Sequence, residues 1–302
     1  MLERELSSNE FVFAPDSAMW KIVRHRSILL TGPAAAVLQI AHPRVGLGVM
    51  EHSRFADSPL GRLERTLIAV NTIAFGTFDE AAEAARRVGR RHSVVMGDAA
   101  AHDVPGPARY TVDELDLLMW VVATLVWSAV GGYERVVGRL SDDEKENFYR
   151  EMRVFGTFFN LPREYGPQTY REYLAYFDSV VADPLIGSHE VSRRVAWAVA
   201  QPRTPLWFRL LAAPIRFMFS EIIPGPVRDR LGFRSTAFSR FACRVATVAL
   251  KVFEWVAPDF LRFDPYYRRA RKRADRDTGV SPVQAMSAWA GRPCHGQRDL
   301  HS

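Results

Sequence analysis

Arg62, Thr66 and His92 have the residue types and spacing to do chemistry together. Arg62 and Thr66 are four apart, so on a helix they share a face, one offering a permanent cation and the other a hydroxyl. His92 belongs to the row Ala81, Ala85, Val88, His92 and Val95, spaced 4, 3, 4, 3 like the inward face of an amphipathic helix. Arg86, Arg87, Arg90 and Arg91 fall at least about 100° away around that helix. An imidazole in an apolar row must find a partner for each buried ring nitrogen. Either a core hydrogen bond or a metal answers that need.

Spacing argues against a metal held by protein side chains alone. A zinc site takes three or four ligands. His25, His42, His52, His92 and His102 supply imidazoles, but none stands in a His-Glu-x-x-His pair, and Glu51-His52 lacks a second histidine four residues on. A two-histidine, one-carboxylate iron site has no support from spacing. The two cysteines, Cys243 and Cys294, make no Cys-x-x-Cys pair, and Cys294-His295 lacks the context for covalent haem attachment. A non-covalent haem asks less of a sequence: one histidine on a helix as axial ligand, and apolar helices as walls. Leu117 to Val130, apolar nearly all round and carrying Trp120 and Trp127, reads equally as such a wall or as a buried core helix. The arginines at 86 to 91 read either as partners for haem propionates or as a solvated helix face. Arg62 stands with Thr66 beside bound dioxygen, or pairs with Glu51 or Asp57.

Two helices carry these residues. Ser58 as N-cap and Pro59 at the first helical position open one over Leu60 to Phe75, stopped by Gly76 in a left-handed conformation. Thr77 and Glu80 have capping-box spacing and open a second, running to Gly97. Around this pair, residues 1–15 read as a loose lead-in. Asp16 and Ser17 cap a helix through His25, and Gly32-Pro33 opens another over Ala34 to Ala41. Val45 to Phe55 reads as a glycine-rich loop carrying His52. It is no dinucleotide fingerprint, since no strand precedes it and the third glycine is missing. Thr111 and Glu114 make a capping box ahead of the apolar stretch, which Gly131-Gly132 interrupts or ends. Ser141 and Glu144 cap a helix to about Phe158, and Pro162 to Pro167 form a turn. Helical stripes follow over Tyr170 to Val181 and Glu190 to Ala200. Prolines at 202, 205, 214 and 224 break the next region into short helices. Arg240 to Val256 is a longer amphipathic helix, Pro265 to Arg276 a basic one, and the last 25 residues read as frayed. No strand alternation and no repeat is evident. The expectation is an all-α fold, a single-domain bundle of about ten helices over residues 16–276, with a lead-in at 1–15 and a tail at 277–302.

The chain has 302 residues, 48% hydrophobic and 25% charged, with 40 Lys+Arg against 34 Asp+Glu for a net charge of +6. That excess suits an anionic partner, but no nucleic-acid recognition motif accompanies it. Two cysteines fit a reducing compartment. The first residues, MLERELSSNE, contain no apolar h-region, so a cytoplasmic location is expected. Leu206 to Ile223 is the most apolar candidate for a membrane span, and Arg209, Pro214, Arg216 and Glu221 interrupt it.

The order Gln39-Ile-Ala-His42-Pro43, Gly48-Val-x-x-His52-Ser53-x-Phe55, Arg62-x-x-x-Thr66, His92-x-x-Val95-x-Gly97, Tyr110, Trp120 and Ala123-Thr124-Leu-Val126 resembles the MpaB-type oxygenase family, which includes bacterial rubber oxygenases. The resemblance spans roughly Ser17 to Pro202. It implies an all-α fold around haem b, with His92 as the proximal iron ligand and Arg62 and Thr66 in the distal pocket. His52, Phe55, Arg65, Trp120 and Thr124 are implied to contact the haem. Arg65 stands where rubber oxygenases carry a lysine that closes the distal iron position, a role an arginine cannot take because it does not deprotonate. Glu51 is the nearest match to their catalytic glutamate, and Val122 replaces a histidine common among relatives. These departures do not imply a polyisoprene substrate. The function implied is a haem-dependent oxygenase that binds dioxygen and acts on an apolar or small organic substrate. Two other readings stand beside it. One is a non-catalytic haem carrier or gas sensor. The other is a cofactor-free helical protein in peripheral contact with a membrane, suggested by Trp207 to Phe219 and Arg268 to Arg273.

Overall fold

Serine and threonine caps decide where many of the helices begin. The computed structural model describes residues 10–52, 59–200 and 220–276, without the side chains of Leu29, Leu30, Pro59, Leu60, Arg62 and Leu63. Ser17 Oγ accepts the Trp20 N–H at the start of α1 (Ala18–Val23). A 3-10 turn over Arg26–Thr31 leads to α2 (Gly32–Ala41), α3 (Pro43–His52) and α4 (Pro59–Phe75). The capping box of Thr77 and Glu80 starts α5 (Phe78–His92) as its spacing requires. Strands β1 (Met96–Asp98) and β2 (Arg109–Thr111) pair antiparallel, with Gly97 opposite Tyr110. Next come α6 (Leu115–Val136), α7 (Asp142–Thr157), α8 (Tyr170–Ala182) and α9 (Glu190–Ala200). Capping boxes at Ser141/Glu144 and Thr169/Glu172 open α7 and α8. The described chain ends with α10 (Gly225–Arg230), α11 (Ala237–Val256), α12 (Asp259–Arg262) and α13 (Pro265–Ala274). The fold is all-α, apart from that one small sheet.

The most apolar helix is the central one. Among the described residues, α6 alone is long and apolar enough to cross a membrane. Here α2, α7, α8 and α11 pack around it instead. Trp120 is fully buried, donates its Nε1–H to the Leu38 carbonyl at 3.0 Å and stacks on Phe177 with ring centroids 5.7 Å apart. The helix runs through Gly131-Gly132 to Val136 rather than ending there. A Cβ on Gly132 would stand 2.9 Å from Thr31 Oγ1, so glycine is what lets the 3-10 turn cross α6 closely.

Several expectations are corrected for related reasons. The glycine-rich stretch after Pro43 is helix α3, not a loop. A Cβ on Gly46 would meet the Ile40 carbonyl at 2.9 Å, and one on Gly48 would meet Val95 Cγ1 at 3.2 Å. The missing side chains let α3 lie against its neighbours, and that packing outweighs the penalty of about 1 kcal/mol per helical glycine. Gly76 does end α4, yet it is not among the left-handed glycines; a Cβ there would run into the Thr72 carbonyl. Helix α5 stops at His92, and Gly97 lies in β1. Thr111 belongs to β2; its N–H donates to Glu114 Oε1 at 2.8 Å, which is half of the expected capping box, but the N-cap of α6 is Glu114 itself. The stretch from Glu10 to Phe13 is tied down: Val12 and Phe13 are buried, and Phe11 bridges to Thr77 at the α4–α5 turn. Residues 201–219, with Trp207 to Phe219 and most of Leu206 to Ile223, and residues 277–302 lie outside the described residues.

Candidate functional site

Helices α4 and α5 form an antiparallel hairpin that turns at Gly76-Thr77. Arg62 and His92 each lie roughly 20 Å from the turn at a rise of about 1.5 Å per residue, so their backbones are level, with Thr66 one turn nearer. One hairpin end thus carries all three predicted residues. The Arg62 side chain lies outside the described residues, as does Phe55.

Burial fades along this hairpin. Near the turn, Ile73, Ala74, Phe75, Ala81, Ala84 and Ala85 are buried, and Trp20 and Tyr267 close on Phe75 with ring centroids 5.6 Å away. At the far end Glu64, Arg65, Thr66 and Ile68 are exposed, and so is His92. This corrects the placement of His92 in a core-facing row. The row is buried at Ala81 and Ala85, half-buried at Val88 and uncovered at His92. Helices α1 and α13 pack on the turn end of α4, and the hairpin reaches beyond them. The arginine face of α5 is a solvated ladder: Arg86, Arg87 and Arg90 lie 3.1, 3.7 and 3.4 Å from Glu83. Apolar surface stands close to His92 in sequence, with Val94 63% and Met96 57% exposed.

The end of α3 meets the strand pair beyond His92. The Tyr110 hydroxyl donates to Glu51 Oε2 at 2.5 Å, and His102 Nε2 lies 2.8 Å from Glu51 Oε1. His52 Nε2 is 3.0 Å from the Met96 carbonyl and 3.8 Å from Glu51. His52 is therefore held four residues beyond His92. Burial first, and Glu51 second, push the Tyr110 phenol well above its usual range, so it stays protonated and donates. A Cβ on Gly97 would come 2.5 Å from Glu51 Oε2 and 2.7 Å from Tyr110 Cε1, so this clamp requires glycine. The buried Arg44 pins α3 to the sheet, with Nη1 on Glu114 Oε2 at 2.5 Å and Nη2 on the Arg109 carbonyl.

Sequence reasoning missed this Glu51–Tyr110–His102 cluster. It named Glu51 as a possible partner of Arg62 and as the nearest match to a glutamate, and read its surroundings as a loop. The glycines at 48 and 97 were the available signal. Trp120 and Thr124 sit in the bundle core, where Thr124 Oγ1 donates to the Val121 carbonyl at 2.8 Å. His42, at the α2–α3 junction, has a buried Nδ1 without a hydrogen-bond partner in the structure.

Residues 20–252 match the family described as ER-bound oxygenase mpaB/B'/Rubber oxygenase, catalytic domain. The chain belongs to this oxygenase family. No curated protein and no solved structure matches it. The matched span takes in α3, the α4–α5 hairpin, the sheet and α6. The family assigns a general oxygenase role. Among the described residues no three His, Cys, Asp or Glu side chains group as a metal site. His92 is exposed, as are Val94 and Met96 two and four residues further on; a group that takes a single protein ligand, as haem can, does not require such a cluster.

Proposed function

We propose that this oxygenase works with haem b held by His92 and acts on an apolar or small organic substrate. The reading is carried by one observation: in a chain of this family, the hairpin end that holds an exposed His92 is level with Arg62 and one turn from Thr66. When bound, haem supplies the activation of dioxygen. The chain supplies the surroundings. His92 offers a ring nitrogen from the last turn of a helix anchored at its other end. Arg62 and Thr66, four apart along α4, would supply a cation and a hydroxyl to negative charge that develops on oxygen. Arg65 offers a guanidinium, which donates hydrogen bonds and is not a metal ligand. Val94, Met96 and Ile68 present exposed apolar surface that suits an apolar substrate. The Glu51 clamp fixes the strand pair beside them.

The test begins with the visible spectrum of protein expressed with a haem supply. Wild type is expected to show a Soret band. His92→Ala is expected to fold and lose most of its haem or shift that band, and an unchanged spectrum at full haem content refutes the assignment. Removal of one preorganised donor costs on the order of 100-fold in turnover. Arg62→Ala and Thr66→Val are therefore expected to keep haem content and melting temperature while losing about that much activity against a panel of apolar substrates with dioxygen. Equal turnover in all three proteins removes these residues from the reaction.

A further inference from the structure

Helix α11 has one docked face and, opposite it, an exposed apolar one. One face is docked: Ser239, Cys243 and Glu254 are buried, and the helix packs on α6. Glu254 anchors it, with Oε2 2.8 Å from His25 Nδ1 and Oε1 accepting the Ser27 hydroxyl at 2.5 Å. The opposite face carries Phe238, Phe241, Val245, Val248, Val252 and Trp255, spaced 3, 4, 3, 4, 3 along the chain. All six are exposed, Phe241 to 66% and Trp255 to 85%. At about 1.5 Å per residue the stripe is roughly 25 Å long. Arg240, Arg244 and Lys251 are also exposed and project within roughly 40° of one another along one border of it. The helix has one acidic residue, Glu254, and it is turned inward onto His25 and Ser27.

We propose that α11 is a membrane-contact helix that lies flat on an anionic lipid surface with this stripe at the boundary of headgroups and acyl chains. Charge selects the occupant. A Phe/Val/Trp stripe whose exposed charged neighbours on the helix are all basic matches a surface that is apolar below and negative above, where long cationic side chains reach up to phosphates. Trp255, the most exposed of the six, is the residue type favoured at that depth. A second copy of the chain fits less well. The stripe offers a footprint on the order of 300 Å² per copy, against about 800 Å² per partner in a stable pair. An antiparallel two-fold pairing would also bring the basic borders together. The anchor at Glu254 keeps the helix formed before it meets a membrane, so contact needs no coupled folding.

Flotation of the full chain with vesicles tests this. Wild type is expected to float with phosphatidylglycerol vesicles at low salt and to stay behind with phosphatidylcholine vesicles. Val248→Asp puts a charge into the stripe at an exposed site, so it is expected to leave the urea unfolding curve unchanged and weaken flotation by about tenfold or more. Arg240→Glu with Arg244→Glu is expected to abolish the preference for the anionic vesicles. Absence of flotation by wild type, equal flotation by wild type and Val248→Asp, or equal flotation on both lipids would each overturn the proposal. So would a lipid-free dimer that Val248→Asp dissociates, which would assign the stripe to a second copy.

Discussion

Lowering the pH should destabilise the junction that aims α3 at the site, and His42 sets the size of the effect. Its imidazole is pushed down from 6.5 to about 4, by burial first and by the Arg44 guanidinium second. The unfolded chain takes up a proton there below about pH 6.5, while the folded chain stays neutral to about pH 4. The folded state therefore binds fewer protons in that window. The stability contributed is fully present above pH 6.5 and is lost as pH falls towards 4. Between pH 8 and pH 5 the loss from this one group is about 2 kcal/mol, out of a total that is typically about 5–15 kcal/mol. Urea unfolding followed by far-UV circular dichroism across this range, for wild type and His42→Asn, measures it. His25 is also pushed down, by burial, and works in the same direction. Burial raises Glu151 to about 7, and it works in the opposite direction, gaining stability as pH falls. Both are common to the two proteins and cancel in the difference. Wild type should lose about 2 kcal/mol more than the variant on going from pH 8 to pH 5. Parallel pH profiles, or a ring-proton titration of His42 centred near its ordinary value, would refute the reasoning.

Gly97→Ala should force Glu51 and Tyr110 apart and cost about 1–3 kcal/mol, read as a lowered melting temperature; an unchanged one would show that the clamp is slack. Glu254→Ala leaves the buried His25 ring nitrogen and Ser27 hydroxyl without their acceptor, for a loss of about 3 kcal/mol in urea unfolding, and Glu254→Gln should recover part of it. Ser141→Ala removes the side-chain half of a capping box and should cost about 1 kcal/mol, measured the same way.

Several helix starts were legible in the sequence because their causes are local. Ser17, Thr77 with Glu80 and Ser141 with Glu144 act across three residues, within reach of the chain's own pattern. The apolar run from Leu117 likewise shows a helix in the sequence, and the packing of α2, α7, α8 and α11 around it shows that it is buried. The glycines misled for a physical reason. Gly46, Gly48 and Gly132 are poor helix formers in isolation, and only the approach of Ile40, Val95 and Thr31 shows why glycine serves there. Periodicity named the face of α5 that carries His92, yet whether a neighbour covers that face depends on how far α1 and α13 reach along the hairpin. The bond from Tyr110 to Glu51 joins residues 59 apart, and no local pattern encodes such a pair. What acts within a helical turn was decided by the sequence alone. What depends on another element arriving from far along the chain, including the clamp at Glu51 and the exposure of His92 and of the α11 stripe, was decided by the tertiary structure.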